Sequence, residues 1–325
     1  MCSWRTAGGN LRSTFGRQAI PMVWTFAEGN PFSSVSGNFK TMLGSVAETV
    51  EHLGCGSPAV VSQDNALTME HPRNVMVCTE LPYYRDIGYA DLSDFFYIWL
   101  RRSLKDTYPQ MFLPMVTSKE ELSTASTYYG VSKEEAEEKY RADMKAVCEK
   151  LYASSSAEYP ALLFYCFRKN DLECIKLGSA GGNQSAWEFM LDSLLSAGFA
   201  VSAVWPMRSE PVSEKADSTR VLIVARKGTD RRGQITRRGF INTLKRELPE
   251  KLSRLWFGHV RPEDELLSCM GQGLSVFTAY ESVLNADGSA MSVHDALQVI
   301  YLECDDYIEQ RKAAASEDAA ETKEE

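Results

Sequence analysis

The chain contains no Cys-x-x-Cys pair. Its eight cysteines, at positions 2, 55, 78, 148, 166, 174, 269 and 304, are scattered, and His52, His71, His259 and His294 make no metal-ligand spacing. This excludes a paired-cysteine zinc site and a disulfide framework, and suits reduced, mostly buried thiols with structural histidines. No apolar stretch approaches the ~20 residues that span a bilayer, and the N-terminus starts polar without an apolar signal core. The expectation is a soluble, cytoplasmic protein with no membrane partner. Net positive charge is lacking too: 35 Lys and Arg face 44 Asp and Glu, for a net charge of -9 and a pI near 5.2. A protein held on nucleic acid by its overall field is excluded, so any such role needs a local basic face. There is no internal repeat.

What is present is enough for a sizeable core. The 325 residues suit one α/β domain of about 200 residues with an appendage. A helix is expected from about Phe39, closed by the Gly-Cys-Gly run after Leu53, with strands at Val60 to Ser62 and Val75 to Thr79. Asp91 to Leu104 places Leu92, Phe95, Phe96, Trp99 and Leu100 at helical spacing, the pattern of a core face. Ser132 with Glu135 and Ser185 with Glu188 read as capping boxes, the first opening a helix to about Leu151 and the second a helix closed by Gly198. Ala161 to Phe167, Phe199 to Trp205 and Thr219 to Ala225 read as strands. From Thr236 onward the pattern is helical, Phe240, Leu244 and Leu248 sharing a face, and Ser292 with Asp295 opens a last helix through Ile300. The run Ile20 to Phe26 suits a short helix or a buried segment, and Met111 to Tyr129 lacks periodicity.

The richest stretch chemically is Asn74 to Tyr84, NVMVCTELPYY. An apolar run of strand length that stops at a proline reads as a buried strand, central in a mostly parallel sheet, opening its last residues onto a cleft at the C-terminal edge. Glu80 brings a carboxylate, Leu81 a backbone carbonyl in a turn stiffened by Pro82, and Tyr83 a flat face. Two acceptors beside an aromatic plate suit the amino group of a base. A second candidate is the basic segment Arg226, Lys227, Arg231, Arg232, Arg237 and Arg238, followed by Lys245 and Arg246, which suits either phosphate contacts or a solvated linker and helix start.

Four blocks, TFGRQAIPMVW with NPFS, Tyr83 to Leu104, Leu194 to Glu210 and Gly271 to Val293, resemble the zinc-ribbon-containing adenine-specific DNA methylases, which transfer a methyl group from S-adenosylmethionine (SAM). The resemblance covers most of the chain. It implies a Rossmann-like SAM-dependent methyltransferase sheet with an antiparallel C-terminal strand, plus a helical C-terminal extension. It also implies double-stranded DNA as partner, and a target adenine flipped out of the duplex and stacked on Tyr83; cytosine, with an equivalent amino group, stays open.

Two departures from the family stand out. Its strand tip is Asp-Pro-Pro-Tyr, where this chain has Glu80, Leu81, Pro82 and Tyr83, then Tyr84 and Arg85. Its glycine-rich SAM loop and zinc ribbon are not recognisable: the glycine clusters at 8–9, 54–56, 179–182 and 271–273 do not directly join a strand to a helix. The implied roles are Glu80, Leu81, Pro82 and Tyr83 as catalytic residues, Asp64 and Thr79 as cofactor contacts, and Tyr84, Arg231, Arg232, Arg237 and Arg238 as DNA contacts; Asp64 equally suits a turn. The chain is then a DNA methyltransferase whose SAM loop is an unrecognised variant segment, or the catalytic-motif part of a split one, with an upstream subunit carrying the SAM loop and the zinc ribbon. The alternative is a catalytically inactive relative that binds DNA or assembles with partners. The expected organisation is an N-terminal segment 1–38, a methyltransferase-like α/β domain 39–230, a helical extension 231–311 and a disordered acidic tail 312–325.

Overall fold

The computed structural model describes residues 4–5, 10–11, 30, 32–34, 38–54, 56–70, 72–82, 89–119, 132–177, 185–207, 218–256, 260–261 and 264–324. The chain divides into two compact units, Met1–Asp64 with Ile87–Glu121, and Asn65–Asp86 with Leu122–Glu325. These boundaries differ from those the sequence suggests, because the helix at 39 belongs to the first unit and the helices after 231 belong to the unit that contains the large sheet.

In the first unit, β1 (Trp4–Arg5) pairs antiparallel with β2 (Asn10–Leu11). Helix α1 (Phe39–His52) starts where the Asn38 side chain accepts the Thr41 N–H and ends as Leu53 turns extended. None of its residues is buried, so Phe39, Met42, Leu43, Val46 and Val50 form an exposed apolar stripe. Helix α2 (Tyr89–Leu104) buries only Ala90. The expected core face is therefore corrected: Trp99 is 60% exposed and Phe96 50%. What holds α2 is the segment after it. Tyr97 donates to the Pro114 carbonyl at 2.9 Å, Arg101 Nε to the Phe112 carbonyl at 3.1 Å, and Asp94 receives Thr117 and Lys119. Val60 to Ser62 is coil, with Val60 97% exposed. β-Branched residues favour extended backbone, but no neighbouring strand pairs with this run among the described residues, and an unpaired run is not a strand.

The second unit is α/β. Its elements are β3 (Cys78–Glu80), α3 (Lys133–Ser154), β4 (Ala161–Arg168), α4 (Lys169–Leu177), α5 (Ala186–Ser196), β5 (Phe199–Met207), β6 (Ser218–Lys227), β7 (Ile235–Thr236), α6 (Arg237–Trp256), α7 (Glu265–Phe277), β8 (Val283–Leu284) and α8 (Val293–Glu324). The four-stranded sheet has the order β3-β4-β6-β5. β3 runs parallel to β4, and β6 runs antiparallel to both β4 and β5, so β6 alone is reversed. The parallel strands need crossovers, which α4 and α5 supply between β4 and β5, whereas β5 and β6 are neighbours in sequence and pair directly. β7 and β8 form a separate two-residue parallel pair.

Both capping boxes are formed, Ser132 with Glu135 and Ser185 with Glu188, and Gly198 ends the α5 turn at φ 108°. Along β4, Ala161, Leu163, Tyr165 and Phe167 are buried while the residues between them are half-buried, so one face of the sheet carries the core. Burying each such large side chain contributes about 1.5–3 kcal/mol. Phe240, Leu244, Leu248 and Leu252 of α6 extend that core, as their spacing predicts. The glycines of Gln272's triplet serve packing: a Cβ on Gly271 would sit 2.6 Å from the Val204 backbone nitrogen, so α7 lies against β5 at a distance only glycine permits.

Two expectations in this unit are corrected. β3 is shorter than the expected strand Val75 to Thr79, is more exposed than buried, and stands at the edge of the described sheet, not in its centre, and the sheet is mixed; Val75 keeps only an isolated bridge to Ser155. The acidic tail continues α8 as helix to Glu324, because Ala, Glu and Lys are strong helix formers even without apolar anchors.

Candidate functional site

The end of β3 carries the expected catalytic residues that the structure describes. Thr79 and Glu80 stand opposite Leu163 and Phe164 of β4, and the Leu81 N–H continues the ladder to the Phe164 carbonyl at 3.4 Å. Alternation then sends the acidic and the apolar side chain to opposite faces. Leu81 is buried at 3% exposure, whereas Glu80 projects from the half-open face. There its Oε1 lies 3.5 Å from Nη2 of Arg220, which reaches across from β6 with both side chains about half exposed. The turn is pinned from below. Tyr140 of α3, itself buried, donates its hydroxyl to the Pro82 carbonyl at 2.7 Å, so the first residue after Leu81 is fixed by the core. Tyr83 and Tyr84 lie outside the described residues.

Arg220 and Tyr140 are the residues the sequence did not reveal. No local motif marks either. The only available signal was the reversed strand at Thr219 to Ala225, whose outward-facing positions border the tip once β6 is set beside β4.

The remaining candidates are spread out. Asp64 is exposed in coil of the first unit. Arg231 turns inward and donates from Nη2 to the Gly198 and Phe199 carbonyls at 3.0 and 2.6 Å, satisfying backbone acceptors where α5 gives way to β5. Arg232 donates to the Tyr280 hydroxyl at 3.4 Å and to Glu247 at 3.1 Å. These hydrogen bonds, Tyr280's first, raise its pKa further. Arg237 and Arg238 are exposed at the start of α6. Strand register puts the end of β6, from which these arginines follow, at the far end of the sheet from Glu80: Ala225 stands opposite Ala161, where β4 begins, while Glu80 is level with Phe164. The expected DNA-contact arginines therefore do not converge on the expected catalytic tip, and two of the four are committed to internal bonds.

Two buried acids near the other helix starts have structural partners. Asp171 accepts the Arg168 and Trp187 N–H groups at 2.8 and 3.4 Å; burial raises its pKa and these bonds oppose the rise. Glu188, fully buried, accepts the Ser185 N–H at 2.9 Å and sits 2.6 Å from Nδ1 of His294.

No glycine turn joins the C-terminal end of a described strand to a helix, and Gly54 and Gly56 stand in coil with no atom within 4 Å of a Cβ placed on them. Among the described residues no cluster of three His, Cys, Asp or Glu side chains could hold a metal, and no helix is long and apolar enough to cross a membrane. The six described cysteines are unpaired, with Cys148, Cys269 and Cys304 buried and Cys78 exposed. Comparison of the chain with models of known protein families, with curated proteins and with solved structures finds no match.

Proposed function

We propose that the chain supplies the amino-group-accepting part of a DNA amino-methyltransferase acting on adenine, and that SAM is held chiefly by a loop on another polypeptide. The observation that supports this most is the end of β3: a carboxylate at the C-terminal end of a parallel strand, next to a buried Leu81 and a proline whose carbonyl is anchored by Tyr140. A Rossmann-like methyltransferase sheet also has a single reversed strand near its C-terminal end, and the reversal of β6 against β4 and β5 supports this reading. In this reading Glu80 and the Leu81 carbonyl accept hydrogen bonds from the base's exocyclic amino group and draw its lone pair out of conjugation with the ring. The Glu80 carboxylate must first leave Arg220, and an exposed pair of this kind holds it by only about 0–1 kcal/mol. Tyr83 and Tyr84 would stack on the flipped base and its neighbour.

The second reading, a non-catalytic relative with a DNA-binding or assembly role, is favoured by the same Arg220 pairing and by the poor fit of the described residues to SAM. Tritiated methyl incorporation into adenine-containing duplexes separates the two. With the upstream subunit present, Glu80→Ala is expected to abolish transfer while DNA affinity holds, and Glu80→Asp with Leu81→Pro to preserve or raise it. Transfer that survives Glu80→Ala refutes the catalytic assignment. In calorimetry, the chain alone is expected to show no low-micromolar SAM binding, a level that corresponds to about -8 kcal/mol.

A further inference from the structure

At the end of the sheet away from Glu80 lies a pocket of about 360 Å³, formed by the start of β5, the end of β6 with the turn after it, α6 and the end of α7. Arg226, Lys227, Arg231 and Lys251 line it, with Asp230 as the acidic member. Each of the four cations is positioned by an uncharged partner. Arg226 donates to the Glu158 carbonyl at 3.0 Å, Lys227 Nζ stands 5.1 Å over the Tyr152 ring, Arg231 donates to two carbonyls, and Lys251 donates to the Ser275 hydroxyl at 3.1 Å.

Among the described residues no carboxylate lies within ion-pair distance of any of them. Their neighbours are different: Arg232 and Arg246 share Glu247, which acts on Lys251 only electrostatically from beyond ion-pair distance, and Lys245 pairs with Glu303. Carbonyls, a hydroxyl and a ring fix the direction of a cation without neutralising it. The pocket therefore keeps a surplus of positive charge on a protein whose net charge is -9. The C-terminal end of α7 opposes this with a dipole charge of roughly -0.5, too little to cancel three unit charges. A concave wall of oriented cations attracts and concentrates an anion, and guanidinium with ammonium groups matches the oxygens of a phosphate.

We propose that this pocket binds a phosphate group, with Arg226, Lys227 and Lys251 as its charge-bearing ligands and Arg231 as the side chain that shapes its floor. The phosphate is either an internal diester of a nucleic-acid strand or a terminal monoester. The site stands apart from the amino-group chemistry and does not depend on it.

The test is calorimetric titration of the full chain with inorganic phosphate at fixed ionic strength. Saturable binding is expected, with a dissociation constant on the order of millimolar, and Lys227→Met with Lys251→Met should weaken it about tenfold or more. Lys133→Met with Lys312→Met removes the same charge outside the pocket and should leave it within about twofold. No saturable binding, or an equal loss in both double variants, overturns the proposal. Should the pocket double variant misfold, Lys227→Met and Lys251→Met are titrated singly after their circular dichroism is shown to be native. Weaker phosphate binding in each is then expected, and parent affinity in both overturns the proposal. Two oligonucleotides that differ only in a 5′-phosphate then identify the source. Affinity that depends on the 5′-phosphate and falls in the pocket variant indicates a terminal monoester. Equal affinity of both that falls in the pocket variant indicates an internal diester, and affinity of neither falling overturns the site.

Discussion

Replacing Gly271 by Ala tests how closely α7 lies on β5. In an ordinary helix interior the change is favourable by roughly 1 kcal/mol, since alanine loses less backbone entropy than glycine. At Gly271 the new Cβ would fall 2.6 Å from the Val204 nitrogen, 2.8 Å from its Cβ and 3.0 Å from its Cα, where ordinary contact begins at 3.4 Å. Backbone nitrogen cannot swing aside, and Val204 is held in register against Ile223 of β6. The helix must retreat by roughly 0.8 Å in a core packed at crystal-like density. Overpacking of this kind costs about 1–3 kcal/mol, and a backbone collision belongs at the upper end, so the net loss is about 2 kcal/mol. For a unit of this size that lowers the melting temperature by roughly 4–8 °C in thermal unfolding followed by circular dichroism. Gly273→Ala meets only the Ile300 side chain, at 2.3 Å from Cγ2, and a rotamer change there should make it the milder substitution. Gly44→Ala in α1 meets nothing within 4 Å and should slow amide exchange in that helix. A Gly271→Ala protein that melts at or above the parent temperature refutes the packing argument.

Other outcomes follow from single contacts. Tyr140→Phe keeps the buried ring but strips the Pro82 carbonyl of its donor, and should lower stability by about 1–2 kcal/mol in urea unfolding; an unchanged midpoint would mean that the hydroxyl does not hold the turn. Arg220→Ala should change stability by less than about 1 kcal/mol, because both members of its pair with Glu80 are exposed. Burial pushes the Asp94 carboxyl up, but hydrogen bonds from Lys119 and Thr117 outweigh it and bring the carboxyl from 3.8 down to about 2. A lowered acid stabilises the folded state above its ordinary value, so this contribution is present at neutral pH and is lost as pH falls through the window from 3.8 to about 2. An NMR titration of Asp94 should show the low value and its rise in Lys119→Met; a carboxyl that titrates at 3.8 in the parent protein would contradict the geometry.

Much of the second unit was legible because its signals are local. A capping box spans four residues and strand alternation spans six, so α3, α5, β4, β5 and β6 follow from short windows. α1 was legible for the same reason, through the glycines that follow it. The failures are tertiary. Val60 and Val61 favour extended backbone, yet a strand requires a neighbour, and no window of sequence contains one. The apolar spacing of α2 is real, but amphipathicity says which residues share a face and not whether anything covers it; Trp99 and Leu100 stay exposed. α4 follows β4 without a linker and carries no capping box, so its start was hidden in the strand's end. At the site, the run from Thr79 to Pro82 announced itself through a proline after an acid. Tyr140 and Arg220 meet it only through the packing of α3 and the register of β6.

That register also sets a limit on how one nucleic-acid strand could use both ends of the sheet. Glu80 is level with Phe164 and Leu222, and Arg226 lies four residues further along β6. Four residues of strand rise cover roughly 13 Å and two strand spacings roughly 10 Å, so the two backbone positions are roughly 16 Å apart. A nucleotide whose base reaches Glu80 cannot place its own phosphate beside Arg226. If one strand serves both, the phosphate belongs about three to five nucleotides away along the chain. A length series of single-stranded oligonucleotides tests this. Affinity should step upward once the oligonucleotide exceeds that span, and the step should vanish in Lys227→Met with Lys251→Met. Dinucleotides that bind as tightly as octanucleotides would show that the two ends of the sheet do not share one strand, and would leave the pocket to a separate, terminal phosphate.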